Sequence, residues 1–121
     1  MKLSKKKQDE LIKIEVEKLK EIFKNINPEK QRLIESLINR VAFMKITLEI
    51  LEDSIKTKGA TYNFVQGSQK MIVENPAQKS YNTMINRYTT AYDKLISLLP
   101  KEEVKEADDG FDDFIQRGDD G

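Results

Sequence analysis

The 121-residue chain has no cysteine and no histidine. Their absence excludes zinc sites built on thiolate or imidazole, iron–sulfur clusters, thiol nucleophiles, Ser-His-Asp triads and imidazole acid–base work. No disulfide framework can form, which fits a reducing, cytoplasmic setting. Long apolar runs are also missing. No stretch reaches the roughly 18 residues that would read as a membrane span. The early lysines Lys2, Lys5, Lys6 and Lys7 lead into no apolar segment, so no signal peptide is expected. There is no phosphate loop, dinucleotide fingerprint or nucleophile elbow. Carboxylate chemistry stays open, but no set of Asp and Glu stands out. The expectation is a protein that is not an enzyme and needs no metal or cofactor, leaving binding as its chemistry.

What is present is mostly charge. Charged residues make up 35% of the chain and hydrophobic ones only 38%. A chain this short with that composition builds a thin core, and long helices thin it further by raising surface per volume. Self-association is expected. The formal net charge of zero conceals an uneven distribution: residues 1–101 hold 19 basic and 12 acidic side chains, a surplus of seven positive, while residues 102–121 hold 2 basic and 9 acidic, a surplus of seven negative. A basic body and an acidic tail are separate objects, each open to its own partner.

Residues 8–26 read as a helix, because Ile12, Val16, Leu19, Phe23 and Ile26 follow the alternating four-three spacing of a coiled-coil seam. Its other face is Lys and Glu. Asn25-Ile26-Asn27-Pro28 stops it, and the same Pro28, with Asn27 as N-cap, opens the next helix over about 28–57. That helix has one stripe in Ile34, Leu37, Val41, Met44, Leu48, Leu51 and Ile55, and a second in Phe43, Ile46 and Ile50 on the opposite side. Two apolar faces need two partners, and another subunit is expected to supply one. Gly59 after Lys56 and Lys58 ends the helix.

Residues 60–74 change period. Gly67-Ser68 suits a two-residue hairpin turn that sets Phe64 opposite Met71 and Tyr62 opposite Val73. An isolated hairpin is marginal in water, so that apolar face must lie on helices or on a neighbour. Asn75-Pro76 repeats the cap device and opens a helix to about 99, closed by Pro100. Its outer positions, Asn82, Thr83, Asn86, Thr89 and Thr90, are either a quiet surface or a face for another subunit or a polar ligand. Residues 1–100 therefore read as one mainly α domain of three long helices with a hairpin between the second and third. Residues 101–121 have the composition of an acidic, flexible tail. Within it Phe111, Phe114 and Ile115 form one apolar edge among acids, the form of a docking peptide, although folding back on the basic body would also use it.

The clustered Lys5, Lys6, Lys7, Lys13, Lys20 and Lys24 offer sequence-independent, salt-sensitive phosphate contacts, with a solvated surface as the alternative. No recognition-helix unit for reading bases is apparent.

The order of parts resembles the small terminase subunits of tailed bacteriophages. The resemblance is to the group in which a hairpin leads through Asn-Pro-Ala into the last long helix. It is carried by Val73-Glu74-Asn75-Pro76-Ala77, the helix that follows, Leu98-Leu99-Pro100 and the acidic tail. It implies a non-catalytic subunit of a DNA-packaging motor that forms a ring, binds double-stranded viral DNA in the host cytoplasm and delivers it to the large ATPase/nuclease subunit. On that reading Phe43, Ile46, Ile50, Tyr62 and Phe64 build the homo-oligomer, the six lysines meet DNA, and Phe111, Phe114 and Ile115 dock on the large subunit. The alternative is a homo-oligomeric helical scaffolding adaptor with no nucleic-acid role.

Overall fold

The computed structural model describes residues 3–100. Three helices, α1 (Lys5–Ile22), α2 (Pro28–Lys58) and α3 (Pro76–Ser97), enclose a hairpin of β1 (Thr61–Gln66) and β2 (Gln69–Glu74) between α2 and α3. This is the mainly helical architecture that the sequence predicts.

Polar caps explain where the helices start. The Ser4 hydroxyl accepts from the Lys7 amide at 3.1 Å, so α1 begins three residues before its apolar stripe suggests. Asn27 caps α2 at the Glu29 amide (2.8 Å) and Asn75 caps α3 at the Ala77 amide (3.0 Å), each followed by proline in the first turn. The end of α1 comes earlier than the sequence predicts. Phe23 N–H bonds to both Leu19 and Lys20 carbonyls, and the Ile26 amide closes a further turn on Phe23. Phe23 and Ile26 are nonetheless buried, because the reversing chain carries them onto the start of α2.

α2 is the central rod, about 46 Å long at 1.5 Å per residue. α1 lies antiparallel along it, shown by Lys20 beside Glu35 (3.8 Å) and Glu15 against Lys45 (3.1 Å). α3 returns along another side, tied by the Tyr81 hydroxyl donating to Glu52 at 3.1 Å. The core is one cluster at one end of the bundle: Leu19, Phe23 and Ile26 meet Ile34, Ile38, Val41 and Ala42 of α2, closed by Leu95 and Leu99. Ile12, Val16, Leu37, Tyr88 and Tyr92 pack against it half-buried. Halfway along, the bundle contains a polar layer. Glu15 is buried except for its pair with Lys45, and Tyr88 stacks on Tyr92 with ring centroids 5.8 Å apart.

At the far end, Asn75 is buried and bonds twice across the base of the hairpin. Its side-chain amide donates to the Gly59 carbonyl (2.9 Å) and its backbone N–H to Ala60 (2.8 Å). Gly59 sits at φ +92°, and a Cβ there would meet the Thr61 carbonyl at 3.0 Å, so this corner needs glycine. The hairpin register is the predicted one, Phe64 opposite Met71 and Tyr62 opposite Val73. Gly67 has positive φ and Ser68 does not, which makes the turn type II′.

Candidate self-association and nucleic-acid surfaces

Burial is lopsided. From Glu49 to Lys94, among the described residues, the single buried side chain is Asn75. The last ten residues of α2, the hairpin and most of α3 thus have no fully covered apolar residue. The hairpin is the most open part. Tyr62 and Val73, at its base, are half-covered, and Lys58 places its ammonium 4.4 Å from the Tyr62 ring centre. Phe64 and Met71 on the same face are exposed, and so are Val65 and Ile72 on the other, Ile72 at 76%. The helices do not cover this ribbon, and each of its strands has an unpaired backbone edge.

The second apolar stripe of α2 divides. Ile46 is 6% exposed and Ile50 half-buried, whereas Phe43 is 51% exposed. α2 is flanked by α1 and α3, and those neighbours within the chain account for its two-sided apolarity. Burial of Ile46 is complete without another subunit, and Phe43 is the member of the stripe left to meet one.

The six lysines do not form one clean patch. At about 100° per residue, Lys6, Lys13 and Lys20 share one side of α1, but Glu10 and Glu17 fall on that side too, and Lys5 and Lys7 diverge to either hand. Lys7 lies 4.0 Å from Glu10, Lys20 pairs with Glu35, and Lys24 holds Glu21 at 2.8 Å. Lys5, Lys6 and Lys13 have no ion pair among the described residues. Part of the outer row of α3 bonds locally: Gln78 donates to Asn82, and the Thr89 hydroxyl bonds back to the Ile85 carbonyl. No three carboxylates converge on a possible metal position among the described residues. No helix among them is long and apolar enough to cross a membrane.

One feature of the surface is not visible in the seam spacing. An apolar groove of about 540 Å³ runs between the start of α2 and the end of α3, floored by Leu33, Leu37 and Leu98 and rimmed by Lys30, Arg40 and Lys94. Leu33 is 77% exposed, off the main stripe, and Leu98 is exposed where Leu99 is buried. The sequence signal for this groove is the i, i+4, i+7 set Leu33, Leu37, Arg40, which only the return of α3 completes. Phe111, Phe114 and Ile115 lie outside the described residues.

Comparison with protein-family profiles, with curated proteins and with solved structures finds no match to this chain.

Proposed function

We propose that the protein is a non-catalytic, homo-oligomeric DNA-binding adaptor of the small-terminase kind, a ring that delivers viral DNA to a large packaging ATPase/nuclease. The observation that carries the reading is the uncovered half of the molecule. A run from Glu49 to Lys94 with one buried residue, and a hairpin apolar on both faces, are suited to burial between copies. The basic surplus of the body supports a polyanionic partner. The partner of the acidic tail on this reading is the large subunit, through Phe111, Phe114 and Ile115.

A specific observation favours the second reading, a scaffolding adaptor without nucleic acid: Glu10 and Glu17 interrupt the lysine face of α1, and three of the six lysines are already paired. One experiment separates the two. Light scattering at tens of micromolar is expected to give several times the mass of one chain. Duplex DNA titrated at about 50 and about 200 mM salt is expected to lose at least about tenfold in affinity between them. A monodisperse monomer ends both readings. An oligomer that ignores DNA at low salt leaves the scaffold.

A further inference from the structure

We infer that the groove between α2 and α3 is the receptor for the protein's own acidic tail, which lays Phe111, Phe114 and Ile115 onto Leu33, Leu37 and Leu98. Three observations converge on this occupant. The first is charge. The groove is rimmed by Lys30, Arg40 and Lys94, and among the described residues no acidic side chain lines it. Residues 102–121 carry 9 acidic and 2 basic side chains. The second is chemistry of the floor. Leu33 and Leu98 are exposed apolar side chains within a cationic rim, and the tail's apolar edge at i, i+3, i+4 is set among Asp109, Asp112 and Asp113. Each surface carries what the other lacks.

The third is connectivity. Lys94 and Leu98 line the groove, and the tail departs just after Pro100. Ten residues lie between Pro100 and Phe111, and the extended chain from one to the other reaches up to about 36 Å. The α2 side of the groove from Leu33 to Arg40 is about 10 Å of helix. A tether of this kind holds the peptide at an effective concentration in the millimolar range, so weak contacts suffice. A second copy of the chain is a poorer occupant. A symmetric contact through this face would set Lys30, Arg40 and Lys94 against their own like charges. Docking neutralises the basic rim, and any other partner of the tail has to displace it from the groove. This inference stands independently of DNA binding and of ring formation.

The absence of cysteine makes the test direct. In the full chain, Ser36→Cys beside the groove is combined with Gln116→Cys beside the apolar edge. The control pairs Ser68→Cys, in the hairpin turn at the other end, with the same Gln116→Cys. Both serines are exposed, and neither substitution touches the core. Under mild oxidation of dilute protein, the groove pair is expected to close an intrachain disulfide at least tenfold faster than the control. That advantage is expected to fall at least threefold with Arg40→Glu plus Lys94→Glu, and to vanish with Phe114→Ala plus Ile115→Ala. Equal rates for the two pairs would overturn the proposal, as would a rate indifferent to the loss of Phe114 and Ile115. A disulfide-linked dimer as the main product would overturn the same-chain assignment. As a second readout, Phe114→Ala plus Ile115→Ala without any cysteine is expected to shift the Leu33 and Leu98 methyl resonances; unmoved methyls would count equally against it.

Discussion

The side-chain amide of Gln31 lies where α1 gives way to α2 and donates to three backbone carbonyls, Phe23 (3.0 Å), Lys24 (2.9 Å) and Ile26 (2.8 Å). Helix ends leave carbonyls without intrahelical partners, and here a residue of the next helix supplies the donors. Gln31→Ala is expected to destabilise the fold by about 1–2 kcal/mol, since partly buried acceptors lose their partner. Gln31→Glu, nearly the same shape, removes both donors and turns an acceptor toward acceptors, so it should do at least as much damage; denaturant melts of the three proteins check the order. Tyr88 gives a pH signature. Burial, then the charges of Tyr92, Glu15 and Glu49, push its phenol up to about 12 from 10. The unfolded chain loses this proton first, so the contribution is fully present below pH 10 and is lost as pH rises toward 12. Thermal melts between pH 9 and 12 are expected to fall less steeply for Tyr88→Phe than for the native chain. At this scale little could be read ahead. Gln31 and Glu15 are ordinary polar residues of amphipathic helices, and their partners come from other elements, 5 to 30 residues away in sequence.

The hairpin is the element with the least support from its own chain. Val65 and Ile72 project from one face, Phe64 and Met71 from the other, and all four are exposed. Ile72→Glu places a charge at a 76% exposed position, where the monomer has nothing to lose by it. The expected result is unchanged far-ultraviolet circular dichroism and a mass by light scattering reduced toward a single chain, whereas Asn82→Glu on the outer row of α3 leaves the mass unaltered. Equal behaviour of the two variants would remove the hairpin from the interface. The elements themselves were largely legible. Asn27-Pro28 and Asn75-Pro76 mark helix starts because an Asn cap and a proline with preset φ act locally. The hairpin register follows from a glycine that alone supplies the positive φ of its turn. Phase was less legible. Ile38 and Ala42 are in the core although they lie off the four-three stripe, because α2 is gripped from two sides and its buried arc is wider than a coiled-coil seam. The same grip covers Ile46, which spacing alone assigns to another subunit.

On the scale of the whole molecule, stability is concentrated where three helices converge. The cluster of Leu19, Phe23, Ile26, Ile34, Ile38, Val41, Ala42, Leu95 and Leu99 lies at the end away from the hairpin. Regions with few buried apolar contacts open at small free-energy cost, and anything that binds only the closed form suppresses the opening by mass action. Hydrogen exchange therefore separates a self-sufficient monomer from an assembling one. Amides of β1, β2 and the last ten residues of α2 are expected to exchange readily at submicromolar protein and to gain at least about tenfold protection at tens of micromolar. Amides around Ile38 and Val41 already reside in the packed end and should change far less. If both ends show the same protection at every concentration, the open half is stable by itself, and its uncovered surface does not drive assembly. A concentration-dependent gain confined to the hairpin end would locate the contact between copies at the place where this chain leaves its own apolar side chains in water.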